Sequence, residues 1–327
     1  MPKEITHFAL AEQVRRVLPE TSKFFQPVQT FPLVFLIGAV CPDSPFYYLA
    51  GPQKKQVQAL ANPFHRPNKE ALLPVLNFLN QHRTPWARAL AAGTVCHIMS
   101  DSTFHPLVYY YAGMNGIHTG AIARHRYFET AMDVHFQYLF RGKTRLYKII
   151  RRAEISRQKL YQLMAGLFLP QHSNTSLVKH ALQWHSTLHA LFGASVIRKG
   201  TIKMADTSHP VPDSSAGLIY PFSNPCFLPF FSGRLKYRHP CSGSFYATDL
   251  LTLIRQVVKS TLAVLDTIDR AMGTCKKNEK REGLESLVLA DTALPDICPD
   301  LPANTCNTWH GQQDIKPLLY QGVTLPF

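Results

Sequence analysis

The chain has 327 residues, 46% of them apolar and 17% charged, which excludes a disordered protein and allows one large domain or two ordinary ones. Its formal net charge of +14 favours an anionic partner, such as a phospholipid surface, a nucleic acid or a phosphate ester, without choosing among them. Seven scattered cysteines with no CxxC pair argue against a zinc finger and read as core thiols; a structural zinc on Cys298 and Cys306 lacks supporting ligand spacing.

Met1 to Arg16 reads as an amphipathic helix that runs to about Leu18, where Pro19 ends it, and His7 lies near its start. No apolar core of a secretory signal follows its basic residues. The most apolar run, Phe31 to Val40, is too short to span a bilayer, so a soluble cytoplasmic protein is expected. That run fits either a buried strand or a short core helix. It leads into Pro42-Asp43-Ser44-Pro45, where two prolines force a turn around Asp43. A carboxylate held there is placed to reach a metal, or simply to cap the turn. His65 follows in the loop Asn62-Pro63-Phe64-His65-Arg66-Pro67, and Lys69 to Gln81 forms a second helix with Leu72, Leu73, Leu76 and Leu79 on one side.

The stretch Cys96 to His105 organises the rest. His97, Asp101 and His105 recur every four residues, about one helical turn apart, in a setting of small apolar residues (Ala89, Leu90, Ala91, Ala92, Val95, Ile98). Pro85 marks the helix start, and Pro106 is expected to stop it after the last polar residue. Three such side chains on a buried face need a shared partner, either a cation or one another. After a glycine-containing loop, His125, Glu129 and Asp133 repeat the four-residue step. Two helices that each present imidazole and carboxylate inward can build a multinuclear site; taken singly, His125 and Glu129 also fit an exposed i, i+4 pair. The spacing makes Asp133 a candidate partner for a ligating histidine.

Downstream, Thr144 to Arg152 has a basic face that suits anionic lipid or nucleic acid, or is simply solvated. Ser176 to Val196 is helical, with His185 and His189 on one face and no assigned role. Residues 200–243 are rich in Pro, Gly, Ser and aromatics, as a lid over a pocket or as a belt across the helices. Residues 245–272 read as the longest plain amphipathic helix. Residues 275–327 begin with the charged run Lys276 to Arg281 and read as a partly ordered C-terminal tail behind a single 1–274 domain.

In order, His7, Pro42-Asp43 with Phe46-Tyr47, His65, His97xxxAsp101xxxHis105 and His125xxxGlu129 resemble the zinc-dependent phospholipase C/D family, whose fold is shared by P1/S1-type nucleases. Three residues separate Asp101 from His105, as in the glycosylphosphatidylinositol phospholipase D branch. The resemblance covers roughly residues 1–135 in motif and extends to 272 in helix pattern. It implies an all-α domain around two to three zinc ions. Asp43, His65, His97 and Asp101 would surround the first, and His105, His125 and Glu129 the second. Asp101 would bridge to a third, completed by His7 and the amino terminus, with Pro2 as the terminal residue once Met1 is removed. It further implies a hydrolase in which metal-activated water attacks a phosphodiester and Asp43 both ligates zinc and orients or deprotonates the water. The expected substrate is a phospholipid or another phosphodiester, with peripheral contact to anionic membrane. Single-stranded nucleic acid is the alternative substrate, and a metal-binding protein whose catalysis has lapsed is the non-enzymatic one.

Overall fold

The computed structural model describes residues 3–112, 121–141, 145–169, 175–194, 218–220, 229–240, 242–274, 282–295, 297 and 299. Pro2, the glycine-containing loop, most of the 200–243 stretch, the Lys276 to Arg281 run, Cys298 and Cys306 lie outside the described residues. What is described is an all-α, multi-helix fold with one small hairpin.

Helix α6, Pro85–Ala112, is the axis. It is buried nearly all round because small and apolar residues occupy every face from Ala87 to Ala112, the pattern of a helix inside a core rather than on its surface. Packed on it are α1 (Glu4–Val17), α2 (Phe25–Thr30), α3 (Pro32–Gly38), α5 (Leu73–Gln81), α7 (Ala121–Phe140) and the long helix α11 (Leu250–Thr274). The remaining α-helices of more than four residues are α4 (Lys54–Ala59), α8 (Leu146–Arg152), α9 (Arg157–Phe168), α10 (Thr175–Phe192) and α12 (Glu282–Ala290). Leu284 and Val288 of α12, with Leu294 and Ile297 beyond it, join the main core. No helix among the described residues is long and apolar enough to cross a membrane.

The ambiguous run Phe31 to Val40 is a helix. Pro32 occupies its first turn, where a missing N–H costs nothing. The reason it can lie flat on α6 is glycine: a Cβ at Gly93 would stand 2.0 Å from the Phe35 carbonyl, and one at Gly38 would stand 2.2 Å from the Leu90 carbonyl. The two backbones therefore touch at a Gly–Gly contact. This contact delivers the following 3-10 turn, Cys41–Tyr47, onto the His97–Asp101 face of α6.

Two expectations are corrected. Pro106 does not stop α6, which runs on to Ala112. Proline inside a helix costs roughly 3 kcal/mol, but Phe104, Leu107, Val108 and Tyr111 all pack into a second core with α7 and α11, and that burial holds the helix through the break. Residues 245–248 are not helical. They form strand β2 (Phe245–Thr248), antiparallel to β1 (Leu235–Arg238), with Leu235 opposite Thr248 and Arg238 opposite Phe245. Asp249 then starts α11 by accepting the Thr252 N–H at 2.8 Å. On α8 the expected basic face is solvent-exposed at Lys148, Arg151 and Arg152, while Leu146 and Ile149 are buried.

Candidate metal centre

Four elements converge on α6 to build the site: α1 brings His7, the Cys41–Tyr47 turn brings Asp43, the short 3-10 turn Asn62–His65 brings His65, and α7 brings His125 and Glu129. The structure gathers the ligand-type side chains into two groups. In one, ligand atoms of Asp43, His65, His97 and Asp101 lie within 4.8 Å of one another, and in the other those of His105, His125 and Glu129 do. Asp101 and His105 are successive turns of the same helix, so the groups are neighbours about 6 Å apart along its axis.

The first group has the dimensions of a small tetrahedron. His65 Nε2 lies 3.2 Å from Asp43 Oδ1 and 3.5 Å from Asp101 Oδ2; His97 Nε2 lies 3.4 Å and 3.3 Å from the same two atoms. Zinc bonds of about 2.0–2.1 Å to tetrahedral ligands put those ligands ~3.4 Å apart, so these separations are what one central zinc would impose. Orientation agrees with spacing. His65 Nδ1 donates to the Ala61 carbonyl at 2.9 Å, and His97 Nδ1 donates to the Ala39 carbonyl at 3.0 Å. His105 Nδ1 donates to the Pro299 carbonyl. In each ring a proton is thereby held on Nδ1 and Nε2 is the atom aimed at the centre.

The polar atoms at that centre lack ordinary partners. Among the described residues, His97 Nε2, both Asp101 oxygens and His105 Nε2 are buried without a hydrogen bond, as are both ring nitrogens of His7. Orphaned buried polar atoms are costly, and a cation resolves them together. His7 belongs to neither group. Its Nε2 faces the outer oxygens of the two carboxylates, Asp101 Oδ1 at 3.5 Å and Asp43 Oδ2 at 3.9 Å, while its ring stacks on His97 at 4.4 Å.

Without metal the first group is an ion cluster. Burial opposes charge on His65 and His97, but Asp101 and Asp43 outweigh it and raise the two imidazoles to about 9 and about 10. Burial likewise pushes Asp43 and Asp101 up, yet His97 and the other nearby histidines bring both carboxyls below the usual range. His7 is pushed down to about 4, first by burial and then by His97. His105 is held well below its ordinary value, chiefly by burial. In the second group His125 Nε2 and Glu129 Oε1 are 2.7 Å apart.

A cleft of about 760 Å³ opens onto both groups, with Asp43, His65, His105, His125 and Glu129 in its wall and His97, Asp101 and His7 behind them. Asp43 is thus the aspartate of the first group that meets solvent. Leu218, from the stretch expected to be a lid or belt, also lines the cleft, and the neighbouring Tyr220 is buried against the site's supports.

Among those supports the expectation for Asp133 is corrected, and His185 had no expected role. Asp133 does not touch a ligating histidine. Its carboxylate accepts the backbone N–H groups of Ile5 (3.1 Å) and Thr6 (2.8 Å), the Thr6 hydroxyl (2.6 Å) and the Tyr220 hydroxyl (2.7 Å). It caps the first turn of α1 from another helix, and so fixes the helix that carries His7. His185, left without a role from sequence, is fully buried and joins two elements of the site. Its Nδ1 lies 2.9 Å from Ser44 Oγ, beside Asp43, and its Nε2 lies 2.7 Å from Glu4 Oε1, in the first turn of α1. Tyr47 stacks on its ring at 4.0 Å. The sharing of one face by His185 and His189 was the only available hint, since nothing local reveals that Glu4 lies opposite.

A helical fold with two clustered groups of buried imidazoles and carboxylates has the donor sets of one or two metal-binding sites. The family model described as zinc dependent phospholipase C matches residues 6–175, about half of the chain. The chain belongs to that family. No curated protein and no solved structure gives a significant match.

Proposed function

We propose that this protein is a zinc-dependent phosphodiesterase acting on phospholipid-type substrates, and the two ligand groups in the wall of one open cleft carry that reading. Asp43, His65, His97 and Asp101 would hold one zinc and His105, His125 and Glu129 another; His7, with Asp101 Oδ1 3.5 Å from its Nε2, would join Asp101 and the amino terminus at a third. Bound zinc supplies positive charge that acidifies water and neutralises phosphoryl oxygens. The chain's own part is positional. Asp43 Oδ1 is shared by His65 and His97, and Oδ2 is held only loosely, 3.9 Å from His7. Oδ2 is therefore the atom assigned to orient the attacking water and take its proton. His97 and Asp101, sealed behind the wall, fix the geometry and exclude bulk water.

The lipid reading is favoured over a nuclease by the rim, where Leu49 is 39% and Ile122 58% exposed beside the cleft they line. Exposed aliphatic side chains there suit acyl chains better than bases. Steady-state hydrolysis of phosphatidylglycerol in neutral mixed micelles, against single-stranded oligonucleotide at equal phosphate, tests the reading. Turnover of the lipid that is abolished by chelation and restored by zinc is expected. Faster turnover of the oligonucleotide selects the nuclease, and no turnover of either by zinc-replete protein selects the lapsed enzyme.

A further inference from the structure

Among the described residues, four cationic side chains line the cleft: Lys3, Lys54, Lys55 and Arg126. The carboxylates that line it are Asp43 and Glu129, each already a member of a ligand group, so among the described residues none remains to receive a cationic headgroup. The aromatic residues of the cleft are engaged as well. Phe46 packs on His65 with ring centres 5.2 Å apart, Tyr47 stacks on His185, and Tyr109 packs on His105 at 5.0 Å and His125 at 5.3 Å. Among the described residues, an open cage of ring faces, the usual receptor for a quaternary ammonium, is not built here.

The four cations are not equivalent. Lys3 is occupied: its Nζ donates to the Leu218 carbonyl at 2.5 Å and lies over the Tyr220 ring at 4.5 Å. Lys54 and Lys55 are different. Both are exposed on α4, and among the described residues neither forms an ion pair. Two adjacent ammonium groups, unpaired among the described residues, in the wall of a cleft that also holds Asp43 and His65 form a receptor for an anion carried beyond a phosphodiester seated at the ligand groups.

We infer that Lys54 and Lys55 form a headgroup subsite that selects phospholipids carrying a second anionic group, of the phosphomonoester kind, beyond the scissile phosphodiester. The inference rests on the phosphodiesterase reading for its substrate, but the subsite is testable by binding alone. A phosphomonoester brings about two negative charges and three acceptor oxygens, which two flexible ammonium groups can meet together.

The test compares soluble headgroup compounds that differ in one group, glycerophosphoglycerol phosphate and glycerophosphoglycerol, by calorimetry on zinc-replete full-length protein. The phosphorylated compound is expected to bind about tenfold more tightly, a modest ratio because the lysines are exposed and screened. In Lys54→Gln/Lys55→Gln the ratio should fall toward one, with zinc content and thermal midpoint as controls for folding. Equal binding of the two compounds by the unaltered protein, or an undiminished ratio in the double variant, overturns the subsite. Tighter binding of glycerophosphocholine than of either also overturns it, as does tighter binding of a short oligonucleotide. Hydrolysis of phosphatidylglycerol phosphate and phosphatidylglycerol is then followed in mixed micelles. Preferential binding without hydrolysis leaves the subsite standing and removes the enzyme reading; hydrolysis without preference does the reverse.

Discussion

Gly93→Ala tests how the fold builds the site. A methyl group at residue 93 would sit 2.0 Å from the Phe35 carbonyl oxygen and 2.8 Å from the Ala39 nitrogen, whereas ordinary van der Waals contact begins near 3.4 Å. Both nearest atoms are backbone, so no side chain can rotate away, and α3 must part from α6 by about 1.4 Å at that point. Alanine favours helix by about 1 kcal/mol over glycine. Overpacking a tight core costs typically 1–3 kcal/mol, and more where only backbone can yield. A net loss of about 1–2 kcal/mol is expected, or a fall of roughly 1–3 °C in thermal midpoint for a chain of 327 residues. The effect on the site should be larger than the effect on the fold. The residue displaced with α3 is Ala39, whose carbonyl orients His97, and the next turn carries Asp43, whose Oδ1 must stay 3.2–3.4 Å from His65 and His97. A shift of 1 Å is several times the roughly 0.2 Å tolerance of a zinc–ligand distance. Zinc affinity is therefore expected to fall at least ~10-fold, measured by competition with a chromophoric chelator alongside urea denaturation. A variant with unchanged stability and unchanged zinc affinity would refute the argument that the Gly38–Gly93 contact positions Asp43.

Other predictions follow from the same geometry. Glu129→Gln keeps the shape of the second group but removes its only carboxylate; zinc content should drop by about one ion per chain, and phosphodiesterase activity by at least ~100-fold, with the far-ultraviolet dichroism unchanged. Because His65 and His97 are raised to about 9 and about 10 in the metal-free protein, zinc must displace a proton from each near pH 7.5. Calorimetry in two buffers of different ionisation enthalpy should show about two protons released, with affinity rising as pH rises toward 9; release of none would mean that these rings are not ligands. His185→Ala leaves buried Glu4 with only the longer bond from the Tyr220 hydroxyl at 3.3 Å and should cost about 3 kcal/mol in denaturant unfolding, while a change under 0.5 kcal/mol would deny the Ser44–His185–Glu4 link a structural role. Asp133→Asn turns an NH₂ group toward donors and should destabilise by roughly 1–3 kcal/mol, seen as faster amide exchange in the first turn of α1 than elsewhere; uniform exchange would contradict the cap.

The site was more legible in the sequence than its scaffolding. Helical periodicity relates residues four apart, so the His97-Asp101-His105 and His125-Glu129 ladders could be read directly, and the order of the motifs linked them to Asp43 and His65. The same local logic failed where tertiary contacts decide. Pro106 reads as a stop, but apolar packing on both sides carries α6 six residues further. Residues 245–248 carry enough apolar character to pass for the start of a helix, and only their pairing with 235–238 makes them a strand. Asp133 sits in perfect step with Glu129, yet it faces α1 rather than a ligand, because one turn of α7 carries it past the metal groups to the N-terminus of that helix. His185 and Glu4 are 181 positions apart, and no spacing rule connects them.

Zinc per chain, by elemental analysis of full-length protein purified without chelator, is the most direct test of the central claim. Two to three ions are expected, reduced by at least one in both His97→Ala and Glu129→Gln. A folded protein that holds no zinc, and takes up none on dialysis against it, would contradict the metal centre and with it the proposed hydrolase.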